Sequence, residues 1–216
     1  MSPRLALIKS AAGIIAVLGT LLPGTAASAS ELDEQRELFR QLYAAAELGR
    51  RDAVDALSAE ERERLQAYIL WPDLRSAWLR ATIRKADRDD IEAFLREHGT
   101  LKPARELRYR YALHLADSGR LDEYLELYRS YYQGQDVARL DCIALDAEIA
   151  SGNGDRIAHR GRNLWLTGHS QADECDPVFE WMRDAQQLTE DDYRARFALA
   201  IDAREFTRAR WLARSL

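Results

Sequence analysis

Apolar residues recur along this chain at the spacing of one helix face after another. Leu107, Tyr111, His114 and Leu115 fall at i, i+4, i+7 and i+8, and Leu121, Tyr124, Leu125 and Tyr128 follow at i, i+3, i+4 and i+7. That spacing belongs to an amphipathic helix of 3.6 residues per turn. Val137, Leu140, Ala144 and Ala147 continue the pattern, as do Ile91, Phe94 and Leu95 after Asp89-Asp90, and Tyr193, Phe197, Ala200 and Ile201 near the end. Start and stop signals punctuate the pattern where helices need them. Ser58 with Glu61 reads as a capping box opening a helix toward Tyr68 and Ile69, and Thr189 with Asp192 caps another. Trp71-Pro72-Asp73 reads as an interruption before Leu74, Trp78 and Ile83; Pro103 suits a first helical turn, and Asp176-Pro177 reads as a cap followed by a first-turn proline. No alternating, β-branched run bounded by turns appears, so the expected class is all-α.

The segments are short and joined by short loops. Ala-Asp-Ser-Gly at 116–119 and Ile-Ala-Ser-Gly at 149–152 end successive helices 33 positions apart, close to the roughly 34-residue period of tetratricopeptide-type pairs. The expected architecture for residues 30–216 is a right-handed superhelix, an α-solenoid of short antiparallel helix pairs with TPR-like stacking. The final run, Trp211 to Leu216, stops in mid-pattern. The stack is therefore expected to be incomplete at its C-terminus, with self-association through the uncovered apolar surface of Trp211 and Leu212.

The first residues read as an address. Arg4 and Lys9 precede an apolar stretch from Ala11 to Leu22, then Pro23-Gly24, then Ala27 and Ala29 in the small-residue pattern of a signal peptidase site. The apolar run is too short to span a bilayer. Residues 1–29 are thus expected to be a signal peptide cleaved before Ser30, delivering a soluble protein to the periplasm with no stable membrane insertion. Against 31 Lys and Arg stand 36 Asp and Glu, a net charge of −5. Arg and acidic residues interleave without a basic stripe, so nucleic acid is excluded as a partner.

Export bears on the two cysteines, Cys142 and Cys175. An oxidising compartment favours a disulfide between them. A reactive thiol, or a metal site drawing on His159, His169 or Asp173, remains an alternative at this point, although those residues show no recognised ligand spacing. Elsewhere the candidates for chemistry have structural readings close at hand. Asp89-Asp90 and Glu190-Asp191-Asp192 sit in first helical turns, where carboxylates favour the macrodipole. His98 falls at a helix end, and His114 on an otherwise apolar face. Gly152-Asn153-Gly154 lacks the Lys-Ser/Thr of a phosphate loop. Tyr128, Tyr131, Tyr132, Trp165 and Trp181 have the aromatic surface for stacking on sugar rings, but their helical spacing reads first as core. No catalytic residue, metal site or cofactor is expected.

One stretch is more specific. Leu164-Trp165-Leu166-Thr167-Gly168-His169-Ser170-Gln171, with Cys175-Asp176 and Phe179 beyond it, closely resembles a segment of the soluble lytic murein transglycosylases. Phe94-Leu95, Pro103-Ala104, Leu107-Arg108, Leu113 and Leu115-Ala116 also look like that family's sequence, as does Tyr68 to Leu74. Leu121 departs from it, standing where the family often has Trp. The resemblance runs from about Leu38 to the end. It implies the family's N-terminal helical superhelix and a disulfide between Cys142 and Cys175. It also implies a periplasmic enzyme that cleaves the β-1,4 bond between N-acetylmuramic acid and N-acetylglucosamine of peptidoglycan, closing a 1,6-anhydro ring with a single catalytic Glu. In the family that Glu lies in a lysozyme-like C-terminal domain, in a Glu-Ser motif followed by a Gly-Leu-Met-Gln type run. This sequence has no Glu-Ser and no Gly-Leu-Met, so the catalytic domain is expected to be absent. Two readings follow: the non-catalytic N-terminal segment of such an enzyme, or a free-standing periplasmic helical-repeat scaffold binding peptidoglycan or a partner protein.

Overall fold

The structure is a computed structural model and describes residues 29–216. The sequence up to Ser28, with Ala27 and most of the expected signal peptide, lies outside the described residues, while Ala29 and Ser30 begin the first helix. Among the described residues the chain is helical throughout, without a strand. The helices are α1 (Ala29–Glu47), α2 (Asp52–Asp55), α3 (Ala59–Gln66), α4 (Trp71–Ala81), α5 (Arg88–His98), α6 (Lys102–Asp117), α7 (Leu121–Tyr131) and α8 (Ala138–Ala150). Then come α9 (Gly154–Trp165), a 3-10 turn (Asp173–Cys175), α10 (Asp176–Asp184), α11 (Glu190–Asp202) and α12 (Phe206–Leu212).

Local chemistry sets these boundaries. At α3 the Glu61 N–H donates to Ser58 Oγ at 3.2 Å while the Ser58 N–H donates to the Glu61 carboxylate at 2.9 Å, so two of the donors a helix start leaves open are satisfied. Thr189 and Asp192 do the same for α11. Trp71-Pro72-Asp73 opens α4 instead of interrupting it, because a proline in the first turn gives up an N–H that has no intrahelical partner. Asp176 likewise is the first residue of α10 and provides no side-chain cap; Cys175, ending the 3-10 turn, occupies the cap position.

Helix ends repeat one device. The Arg120 N–H reaches the Leu115 carbonyl at 2.9 Å and Gly119 reaches Ala116 at 3.0 Å; Asn153 to Glu148 and Gly152 to Ile149 repeat it at 3.0 and 2.9 Å. This paired bonding needs a left-handed residue, and Gly119 and Gly152 supply φ of +71° and +78°. The same turn closes α1 at Gly49, α10 at Gln186 and α11 at Arg204.

The core is strung along the chain in neighbouring clusters. Leu42, Ala46, Leu65, Leu74 and Ala77 pack α1, α3 and α4. Leu79, Ile91, Phe94, Leu107, Leu115, Tyr124 and Leu140 join α4 through α8. Cys142, Leu145, Ile157, Trp165, Phe179, Met182 and Leu212 join α8 through α12. Helices α4 and α8 each give one side to one cluster and another side to the next, so each unit packs on its sequence neighbours, as in a solenoid. A buried hydroxyl, Ser76 Oγ, donates to the Pro103 carbonyl at 2.7 Å and ties α4 to α6.

Candidate functional site

The stretch from Trp165 to Phe179 converges on the third cluster. Cys142 of α8 and Cys175 are joined by a disulfide, both fully buried. The sulfurs are thus committed to each other and unavailable to a metal. Trp165 ends α9 and is buried, with Phe179 and Tyr193 edge-on at 5.2 and 5.4 Å between ring centroids and Trp211 tilted at 6.3 Å. Over its face lies the Arg196 guanidinium, 4.0 Å from the centroid and 5.3 Å from the ring of Phe179. Arg196 is only 2% exposed and has no carboxylate beside it among the described residues. Burial, then the charges of Arg208 and Arg183, bring its pKa down to about 10. The aromatic faces supply the attraction that a counter-ion would otherwise give.

The rest of the motif holds the chain after α9 in place. Gln171 Nε2 donates to the Leu164 carbonyl at 2.9 Å, the His169 N–H donates to Thr167 Oγ1 at 3.3 Å, and Arg208 donates to Ser170 Oγ. Gly168 is buried, and a Cβ there would stand 2.4 Å from the Leu199 carbonyl oxygen and 2.8 Å from the Ala203 Cβ. Because the obstacle includes backbone, Gly168→Ala should destabilise the fold by roughly 1–3 kcal/mol, read as a lower thermal midpoint. An unchanged midpoint would show that this loop yields freely.

A second arrangement lies where α7, α8 and α9 meet. A cleft of about 480 Å³ is lined by Tyr128, Gln133, Asp141, Arg160, Asn163 and Gln171, among others. Tyr128 OH donates to Asp141 Oδ1 at 2.5 Å and accepts from Arg160 Nη2 at 3.0 Å, while Arg160 Nη1 donates to Glu148 at 3.1 Å. Burial, reinforced by Asp141, pushes the Tyr128 phenol up to about 12. Burial would pull Arg160 down, but Tyr128 and Glu148 outweigh it and leave the guanidinium above its usual range. Tyr132 also rises to about 12 on burial. Tyr124 rises too, chiefly because it is buried, with its OH donating to the Leu140 carbonyl at 2.6 Å.

These shifts have a sign. A phenol whose folded pKa exceeds its unfolded value of about 10 is neutral in both states below pH 10, and its stabilisation is lost as pH climbs toward the folded value. Arg196, depressed to about 10 from 12.5, acts oppositely, relieving a cost over the same window. Three tyrosines against one arginine give a net loss, so the helical signal should begin to unfold above pH 10 and hold between pH 7 and 10. Unfolding already at pH 9 would contradict this.

Other sequence candidates lie apart. Asp89 and Asp90 are exposed in the first turn of α5. Asp192 caps α11 and accepts from Arg162 Nε at 3.1 Å; although burial opposes it, the Thr189 and Arg162 contacts hold its carboxyl below the usual range. His98 packs on Phe94 at 4.8 Å, His114 Nδ1 lies 3.3 Å from Ser118 Oγ, His159 is exposed, and His169 faces Glu205 at 3.4 Å. Among the described residues no three His, Cys, Asp or Glu gather as a metal site. Gly152-Asn153-Gly154 joins α8 to α9. Of the aromatic candidates, Trp165 and Tyr128 are buried, and Trp181 closes on Gly154. Tyr131 is half exposed beneath the Arg108 guanidinium at 4.1 Å. Sequence reasoning missed Arg196, Arg160 and Asp141, which stand among other charged residues on their helices and meet partners distant in sequence.

Fold and site together define an all-helical superhelix pinned by one disulfide and an aromatic–arginine core. Lytic transglycosylase Slt from Pseudomonas aeruginosa, solved as an inactive mutant, is similar with a TM-score of 0.71 and 31% identity over 84% of this chain and 28% of that one. The 70-kDa soluble lytic transglycosylase from Escherichia coli is similar with a TM-score of 0.70 and 25% identity over 85% and 29%. In sequence, the soluble lytic murein transglycosylase of Escherichia coli K12 is 27% identical over 85% of this chain and 27% of its own length. No protein-family model matches the chain. The chain is thus similar to the soluble lytic murein transglycosylases, and the likeness runs through their helical superhelix. It spans little more than a quarter of the length of these relatives.

Proposed function

We propose that this chain is the N-terminal superhelical segment of a periplasmic lytic transglycosylase that acts on peptidoglycan, cleaving between N-acetylmuramic acid and N-acetylglucosamine with 1,6-anhydromuramic acid formation. The segment itself is non-catalytic, and residues 1–29 direct its export. The observation that carries this reading is the Trp165-to-Phe179 block, whose bridge, buried indole and close glycine build one packed unit in a fold shared with those enzymes. No helix of the described residues is long and apolar enough to cross a membrane. Purified 30–216 incubated with cell-wall sacculi should sediment with them and release no anhydro-muropeptides. Products above a buffer control would overturn the non-catalytic assignment; failure to sediment would count against murein as the partner.

A second reading, a free-standing scaffold, draws on the exposed Leu199, Ile201, Phe206 and Trp211 of α11 and α12. Their apolar surface suits self-association or a protein partner.

A further inference from the structure

The cleft between α7, α8 and α9 has features of a ligand site. Its size falls within the range of small-molecule pockets, and its wall is fixed in advance. Tyr128, 2% exposed, is held between Asp141 and Arg160, and Arg160 is held in turn by Glu148. Gln171 is anchored by its bond to the Leu164 carbonyl. Such a wall loses little freedom when a ligand arrives. Along the same cleft stand the exposed Gln133 and Asn163, whose side-chain amides make no hydrogen bond among the described residues.

Charge narrows the ligand class. Asp136, Asp141 and Arg160 all line the cleft, and Arg160 is also paired with Glu148. A strongly cationic or anionic ligand would meet a like charge. Planar carboxylate and guanidinium groups pair with neighbouring hydroxyls, amides pair with amides, and the phenol with Leu145 and Leu164 offers a weakly apolar surface. At the rim, Asp136 adopts a left-handed φ of +54° next to Gly134 at +80°, a conformation in which a non-glycine residue is uncommon.

We propose that this cleft is a subsite for a neutral N-acetylated hexosamine ring, with Asp141 and Arg160 toward its hydroxyls and Asn163 and Gln133 toward its acetamido group. The proposal rests on the murein reading and gives the superhelix a contact with glycan.

The test uses N-acetylglucosamine tetramer as the probe, titrated into the oxidised, isotope-labelled protein at up to millimolar concentration and followed by amide NMR. Side-chain amides of Asn163 and Gln133 and backbone amides of α9 should shift together. Asn163→Ala with Gln133→Ala, both exposed, should weaken binding about tenfold or more with an unchanged thermal midpoint. A glucosamine tetramer, cationic and lacking the acetyl group, should bind more weakly. Shifts confined elsewhere, no shifts, or affinity untouched by the double variant would overturn the subsite. Sedimentation with sacculi separates the two claims. Retention without cleft shifts removes the subsite and leaves the murein reading, cleft shifts without retention do the reverse, and loss of both removes both.

Discussion

Replacing Cys142 and Cys175 together by alanine should lower the thermal midpoint by roughly 6–16 °C while the helical signal at 20 °C persists. The two sulfurs close a loop with a sequence separation of 33. On the chain-entropy account a loop of that length contributes roughly 3–4 kcal/mol by restricting the unfolded chain. For a chain of this size each kcal/mol corresponds to about 2–4 °C. Alanine is the better replacement because both sites are fully buried, where a serine hydroxyl would want a partner. Thiol titration of the protein denatured without reductant should find no free cysteine. A midpoint shift under about 2 °C would mean that the cross-link constrains little beyond what α8 and α10 already hold by packing.

Trp165→Ala should be the most damaging single change in the third cluster, at roughly 3–5 kcal/mol for a large buried aromatic. The loss has two parts. One is the cavity among Phe179, Tyr193 and Trp211. The other is electrostatic: the Arg196 guanidinium, nearly sealed from water, loses the ring face 4.0 Å below it. A double-mutant cycle with Arg196→Met isolates that second part. Desolvated cation–π pairs contribute about 2 kcal/mol or more, so the combined variant should recover about that much relative to simple addition in denaturant unfolding. Strict additivity would show that Arg196 gains nothing from the indole.

The helical class and most boundaries were legible because caps and apolar faces are local signals. The Ser58 and Thr189 boxes, Pro103 and the turns at Gly119 and Gly152 need only a few neighbouring residues to be read. The repeat was legible at two helix ends and no further, for a physical reason. Gln186 closes α10 with the same backbone bonds and a φ of +54°, yet carries no glycine to mark it. Pro72 misled because proline is tolerated in a first turn and disruptive in a helix interior, and the sequence around it suits both. The cleft and the buried arginine were hidden for another cause. Tyr128 meets Arg160 across 32 positions, and Arg196 reaches Trp165 across a helix and two loops. Periodicity sorts residues by face and cannot pair a charge with a partner that far along the chain.

Helices α4 and α8 each belong to two packing clusters. A disturbance on one flank of α8 is therefore felt on the other, so the cystine next to Trp165 and the phenol of Tyr128 rest on a common beam. A force applied at the cleft would pass through α8 into a neighbour already bolted to it by the Cys142–Cys175 bridge.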